Sequence, residues 1–132
     1  VLVTGGVHGY ETSGVHGALR FVDAQAERFA GRANLLVVPC VSPWAYERFQ
    51  RWNFDAIDPN RSFKEGSPAQ ESAALMRLVA QHQARYGPFA AHIDLHAQGA
   101  VDFAHAQAVD FQRVVQRRIQ GHRDHAGGGG GQ

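Results

Sequence analysis

The alternation of short apolar runs with longer amphipathic segments most constrains the fold of this chain. Strands are predicted at residues 1–5, at residues 34–41, which are apolar almost throughout, and at residues 89–97. Between them, residues 13–29 and 67–86 carry apolar side chains at helical spacing. This order predicts an α/β fold, with a mostly parallel sheet, helices on both faces and right-handed crossovers.

Residue types at the segment ends indicate where the predicted helices and strands begin and end. Ser67 is predicted to be the N-cap of the second long helix, with Pro68 in its first position. Gly5, Gly6 and Gly9 follow the first strand, and we interpret them as permitting unusual backbone angles and leaving open space beside a bound group.

Composition and charge argue against several classes of function. The chain has 132 residues, about the size of one domain, and a net charge of +1, which offers no strong field for nucleic acid or an acidic membrane surface. Its apolar runs are too short to cross a bilayer. Cys40 is the only cysteine and is predicted to be inert core in a central strand. With no leader sequence at the start, a cytoplasmic location is expected.

Polar side chains cluster where the predicted strands end. His8 and Glu11 follow the first strand, residues 58–61 lie beyond the second, and His96 ends the third. Because the carboxyl ends of parallel strands share one edge of the sheet, these segments are expected to converge. A close pair plus a distant third ligand suits a catalytic zinc, which takes about three protein ligands and leaves a position for water. Alternatively, His8 is an ordinary loop histidine and Glu11 an acid at a helix N-terminus.

Three short motifs, in order, resemble a known family. They are "GGVHGYE" at residues 5–11, "DPNRSF" at 58–63 and "HIDLH" at 92–96. Together they are similar to the zinc carboxypeptidase family of the M14 type, over roughly residues 1–97. The related aspartoacylase and succinylglutamate desuccinylase group has a similar turn and a similar D-x-N-R segment. The resemblance implies a partial zinc-carboxypeptidase-like fold, in which this segment is the N-terminal part of the catalytic domain.

The resemblance also implies a set of metal ligands. By this likeness, one Zn²⁺ ion is held by His8, Glu11 and His96. Asp58 matches the carboxylate that orients the first zinc histidine, which fixes the tautomer of the ring and raises its basicity.

Further residues of the resemblance concern the substrate. Asn60 and Arg61 match the pair that grips a terminal carboxylate, a task suited to guanidinium because it is always charged and makes paired hydrogen bonds. Arg51 matches the arginine that stabilises the oxyanion, and Arg48 is a competing candidate.

The implied activity is that of a zinc metallocarboxypeptidase-like hydrolase that removes C-terminal residues from peptides. A zinc amidohydrolase that deacylates N-acyl amino acids is an alternative, since either substrate presents a free carboxylate. The family's general base is a later glutamate, and no glutamate follows Glu71 here. A third hypothesis is therefore a catalytically inactive fragment that binds zinc and peptide.

The remaining residues are assigned from pattern alone. Residues 98–132 depart from the family and are expected to form an atypical tail, truncated or frame-disrupted and glycine-rich at its end, with one further helix over 109–119. Asp94 is either a buried acid near the metal or only a strand end. His92 is predicted to point away from the neighbours of Asp94 and to be structural.

Overall fold

The computed structural model describes residues 1–97. The predicted tail over 98–132 and its helix therefore lie outside the described residues. The elements follow in this order: β1 (Leu2–Gly5), α1 (Thr12–Ala24), a 3₁₀ turn (Ala26–Phe29), β2 (Leu36–Val38), α2 (Pro43–Glu47), a second 3₁₀ turn (Pro59–Arg61), α3 (Gln70–Tyr86) and β3 (His92–Leu95).

The three described strands form one parallel sheet in the order β2-β1-β3. In the register of the sheet, Val3 lies opposite Val37 on one side and Ile93 on the other. The chain moves one way across the sheet from β1 to β2 and the opposite way from β2 to β3. Right-handed crossovers then place α1 and α3 on opposite faces. The predicted α/β fold is confirmed, and all three strands end at the same edge of the sheet.

Apolar burial holds α3 against the sheet. Val7, Val41 and Leu75 form a buried cluster, and Val38 and Val79 pack against it from partly buried positions. Removal of these apolar side chains from water is the main favourable contribution to their association. The loop that follows β1 is therefore anchored from below by α3.

Two glycines set the distance between α1 and the sheet. A Cβ atom on Gly14 would lie 2.2 Å from the carbonyl oxygen of Leu95, and one on Gly5 would lie 2.5 Å from the carbonyl oxygen of Gly14. No side chain fits at such separations, so the backbones of β1, α1 and β3 touch directly. This contact brings the start of α1 close to the end of β3.

The glycines of the loop after β1 differ in role. Gly6 has a φ of +60°, a backbone angle that residues with a side chain rarely adopt. Gly9 is needed for a different reason, because a Cβ there would lie 2.0 Å from the carbonyl carbon of Ala45 in α2. The interpretation that Gly5 and Gly9 keep space open beside a bound group is therefore wrong, since backbone occupies that space.

The predicted boundaries of the second strand and of the second long helix are wrong. The second strand is shorter than residues 34–41 and lies at the edge of the described sheet, where it pairs only with β1. Cys40 follows this strand and is half-buried rather than part of a central strand, and burial raises the pKa of its thiol.

The N-cap of α3 is Ala69 rather than Ser67. The hydroxyl of Ser67 bonds to the backbone of Ala69, which keeps this stretch extended before the helix begins.

Candidate metal centre

The shared edge of the parallel sheet collects three titratable side chains. His8 lies in the loop after β1, Glu11 is the N-cap residue of α1, and His96 directly follows β3. Because β1 and β3 are adjacent and parallel, the two histidine rings meet edge to face, with their centroids 5.4 Å apart. The three predicted metal ligands are thus brought together from segments that are distant in the sequence.

Glu11 lies between the two imidazole rings. Its Oε1 is 2.9 Å from Nδ1 of His8, and its Oε2 is 2.6 Å from Nδ1 of His96. One ligand atom from each of the three residues lies within 4.8 Å of the others. His8 and Glu11 are only 3% and 4% exposed, whereas His96 is 26% exposed. The three-residue cluster is therefore shielded from solvent around His8 and Glu11 and accessible on the side of His96.

The opposite ring nitrogens each contact a further carboxylate. Nε2 of His8 lies 2.9 Å from Oδ1 of Asp58, and Nε2 of His96 lies 2.8 Å from Oδ2 of Asp94. An ionised carboxylate only accepts hydrogen bonds, so each Nε2 donates. Both rings are thereby oriented with Nδ1 towards Glu11. Histidine ligands of metal ions commonly donate their other ring N–H to a carboxylate in this way.

The charges of this group suit a cation. Burial acts to raise the pKa of Glu11, but hydrogen bonds with His96 and His8 outweigh it and hold the pKa below 4.5. The hydrogen bonds of His96 with Asp94 and Glu11 raise its pKa to about 10. Without a metal, His96 thus carries a proton on Nδ1, facing Glu11. A divalent cation could take the place of that proton, because metal binding displaces protons from its ligands.

Asp58 links the metal ligands to the basic residues of the next loop. Its Oδ2 accepts a hydrogen bond from Arg51 at 2.9 Å and lies 3.8 Å from Nε of Arg61. Burial acts to raise the pKa of Asp58, but the hydrogen bonds with His8 and Arg51 lower it. Asp58 therefore stays ionised and holds His8 and the two arginines around one carboxylate.

Arg51 is also held from the side of His8. It donates a hydrogen bond to the hydroxyl of Tyr10 at 3.2 Å, and the ring of Tyr10 stacks on His8 with centroids 5.9 Å apart. Arg48, the competing candidate, instead contacts Glu47 and lies over the ring of Trp44. The structure thus places Arg51, and not Arg48, beside the candidate metal ligands.

The predicted carboxylate-gripping pair lies on a firmly held turn. The backbone N–H of Asn60 donates to Asp58, and the guanidinium of Arg61 is 82% exposed. Below them, the buried Ser72 of α3 donates a 2.6 Å hydrogen bond to the carbonyl of Pro59. The backbone of the turn is fixed while the Arg61 side chain faces solvent, where a ligand can reach it.

From the sequence alone, the role of Asp94 stayed open and the side chain of His92 was predicted to point the wrong way. Asp94 proves to be the hydrogen-bond partner of His96. It is therefore an acid near the candidate metal ligands and not only the end of a strand. His92 does not point away from the neighbours of Asp94, because its Nε2 lies 2.8 Å from the hydroxyl of Thr4, which itself donates to Asp94. Residues 92, 94 and 96 are each two positions apart, so in an extended strand their side chains lie on the same face. This spacing is the signal that could have identified the shared face. The part played by Thr4 comes only from the pairing of the strands.

The sequence was compared with models of protein families. The model described as "Succinylglutamate desuccinylase/Aspartoacylase catalytic domain" matches residues 1–119. The chain belongs to this family. The resemblance to the M14-related group, and to the aspartoacylase and succinylglutamate desuccinylase members in particular, is thereby confirmed.

A solved structure supports the family fold. The protein from Shewanella amazonensis SB2B described as "a putative metallopeptidase" superimposes with a TM-score of 0.62 at 24% sequence identity. The match covers 74% of this chain and 39% of that one, so this chain spans well under half of the solved protein's length. A search of curated proteins found no match. Among the described helices, none has the length and apolar character to cross a membrane.

Proposed function

We propose that this chain carries the metal centre and the carboxylate-binding loop of a zinc-dependent amidohydrolase that deacylates small N-acyl amino acids. The observation that carries the proposal is the convergence of His8, Glu11 and His96, whose ligand atoms lie within 4.8 Å of one another. Membership of the desuccinylase and aspartoacylase family favours an acyl-amino-acid substrate over a peptide. Removal of C-terminal residues from peptides, which needs the same parts, is the alternative that the experiments below include.

The donor set favours zinc. Two imidazole nitrogens and one carboxylate are ligands typical of catalytic zinc, whereas magnesium and calcium prefer oxygen ligands alone. Nδ1 of His8, Nδ1 of His96 and the carboxylate of Glu11 would hold the ion. When bound, zinc lowers the pKa of a water molecule and polarises a carbonyl group.

The basic loop residues would bind and orient the substrate. Arg61, exposed and always charged, would make paired hydrogen bonds with a free carboxylate, with Asn60 beside it. Arg51, held by Asp58 and Tyr10, would face the oxygen that becomes negative as the amide is attacked. A rigid placement of these groups matters because correct positioning removes an entropic cost from the reaction.

Among residues 1–97, which the structure describes, no glutamate corresponds to the later one that serves as general base in the family. No glutamate follows Glu71 in the sequence, and the carboxylate of Glu71 accepts a hydrogen bond from Asn53. Glu11 faces the two histidines. We therefore expect the 132-residue chain to bind zinc and a carboxylate ligand but to hydrolyse substrate slowly, because proton transfer typically contributes about 10²–10⁴-fold to the rate.

The metal is tested first. We expect the purified chain, after exposure to Zn²⁺ and desalting, to contain about one zinc ion, with that content lost in His8→Ala and His96→Ala. His16→Ala is the matched control, since His16 is an exposed histidine of α1 away from the group. Failure of the unaltered chain to retain zinc, or full zinc content in both ligand variants, would contradict the proposal.

The substrate class is tested by binding to the zinc-loaded chain, a readout that needs no turnover. N-acetyl amino acids, their carboxamides and short peptides with free C-termini are compared by calorimetry. We expect N-acetyl amino acids to bind most tightly, carboxamides to bind weakly, and Arg61→Gln to abolish the difference between them. Arg20→Gln, on the exposed face of α1, serves as control. A preference for peptides would favour the carboxypeptidase alternative instead.

A further inference from the structure

A chain of hydrogen bonds runs from the candidate metal centre, by way of the adjacent strands β3 and β1, to the exposed His92. His96 contacts Oδ2 of Asp94 at 2.8 Å, and Oδ1 of Asp94 accepts from the Thr4 hydroxyl at 2.7 Å. The same hydroxyl lies 2.8 Å from Nε2 of His92. Both oxygens of Asp94 are thus engaged, one by the metal-facing histidine and one by the neighbouring strand.

The direction of each hydrogen bond follows from the chemistry of the groups. A hydroxyl has one proton, and that of Thr4 is donated to Asp94. The Thr4 oxygen can then only accept, so Nε2 of His92 carries the hydrogen between them. His92 donates to Thr4, Thr4 donates to Asp94, and Asp94 accepts from His96. The series is directional, and each member orients the next.

The sheet holds this series in place. Thr4 lies opposite Asp94 in the pairing of β1 with β3, and Thr4 has no exposed surface. Asp94 is 18% exposed, so its hydrogen bonds are largely shielded from water. Hydrogen bonds order shielded groups such as Thr4 and Asp94 strongly, because loss of one partner leaves a group without a hydrogen bond.

We propose that Thr4 and His92 are positioning residues of the metal centre, which hold Asp94 and through it fix the ring of His96. The inference rests on the proposed role of His96 as a ligand. Neither residue contacts the metal position; each acts by limiting the rotation of Asp94. Residues that support histidine ligands typically change metal affinity about 10–100-fold when they are replaced. The alternative is that both residues only stabilise the sheet.

The test measures zinc affinity of the full chain by competition with a chromophoric chelator. We expect Thr4→Val to weaken binding about 10-fold, at the low end of the range for such supports. Thr4→Ser, which restores the hydroxyl, should recover most of the loss. His92→Phe should weaken binding less than Thr4→Val does, and His92→Gln, which keeps a donor, should weaken it least. The Co²⁺-loaded proteins should show altered ligand-field absorption in Thr4→Val and in His92→Phe.

Non-additivity separates support of the ligand from general stability. If His92 acts only through Thr4, adding His92→Phe to Thr4→Val should cause no further loss of zinc affinity. Chemical unfolding of the metal-free variants gives their stability separately, and His16→Phe controls for the loss of an exposed histidine. Because His92 is itself exposed, its variants test the inference even where Thr4→Val fails to fold.

The outcomes are distinguishable from failure of the proposed function. If the unaltered chain binds no zinc, the metal centre itself is wrong and the inference is overturned with it. If the unaltered chain binds zinc, His96→Ala does not, and Thr4→Val and His92→Phe bind as tightly as the unaltered chain, the inference alone is overturned. Weaker binding and a changed Co²⁺ spectrum in the variants, with recovery in Thr4→Ser, would support it.

Discussion

The carboxylate of Asp58 lies 2.9 Å from Nε2 of His8, although fifty residues separate them in the sequence. The other oxygen of the same carboxylate accepts from Arg51. One side chain therefore orients a candidate metal ligand and holds a basic residue of the proposed substrate site. A change at Asp58 should consequently affect both metal binding and carboxylate binding.

Replacement of Asp58 should weaken zinc binding in a graded way. We expect Asp58→Ala to reduce zinc affinity about 10–100-fold, because His8 loses the acceptor that orients its ring. Asp58→Asn keeps an acceptor but loses the charge, so its effect should be smaller. Asp55→Asn, at an exposed position of the same loop, is the control and should bind zinc normally. Equal zinc affinity in all four proteins, measured by chelator competition, would rule out the orienting role.

The raised pKa of His96 predicts that the metal-free chain loses stability at alkaline pH. Its pKa rises from 6.5 to about 10 through hydrogen bonds with Asp94 and Glu11. The folded state then holds this proton more tightly than the unfolded state. The stabilisation is complete below pH 6.5 and is lost as pH rises towards about 10. Urea unfolding in the presence of a chelator, followed between about pH 6 and pH 9, measures this loss.

His96→Gln provides the control for the alkaline effect, since glutamine does not titrate. The variant should be less stable than the unaltered chain near pH 6 but should lose less stability as the pH rises. Zinc should act in the opposite sense, with affinity increasing with pH, because the proton on His96 must leave before the metal binds. The same pH slope of stability in both proteins would show that His96 is not the group responsible.

Two glycines of α1 should respond in opposite ways to alanine. In Gly14→Ala the new methyl group would lie 2.2 Å from the carbonyl oxygen of Leu95, so the helix must move away from the sheet. Overpacking of this kind typically costs about 1–3 kcal/mol. In Gly17→Ala the methyl group would meet the Leu95 side chain at 3.6 Å, an ordinary contact. That variant should gain roughly 0.5–1 kcal/mol from the higher helix propensity of alanine.

Thermal and urea unfolding of the two glycine variants measure these changes. Gly14→Ala should also bind zinc more weakly, because displacement of α1 moves Glu11, its N-cap residue, away from His96. Gly17→Ala should leave zinc binding unaltered. Similar stability of the two variants would mean that the close approach of α1 to β3 is not rigid.

The convergence of the three candidate metal ligands was predictable because His8, Glu11 and His96 follow the ends of two adjacent parallel strands. His8, Glu11 and His96 were proposed from position and motif, and Asp58 from the family resemblance. The structure brings the four side chains together. The interpretation of Gly5 and Gly9 failed for a physical reason. Their need arises from backbones of distant segments that approach within van der Waals distance, and no local pattern reports such an approach.

The sequence by itself determined the order of strands and helices, the parallel sheet and the edge where the polar residues gather, since hydrophobic periodicity and handed crossovers depend on local pattern. Only the tertiary structure decided which groups touch there. Strand register placed Thr4 against Asp94, and the glycine contacts of α1 brought Glu11 to His96. These pairings depend on how closely segments far apart in the chain approach one another, and that approach follows from packing rather than from composition or spacing.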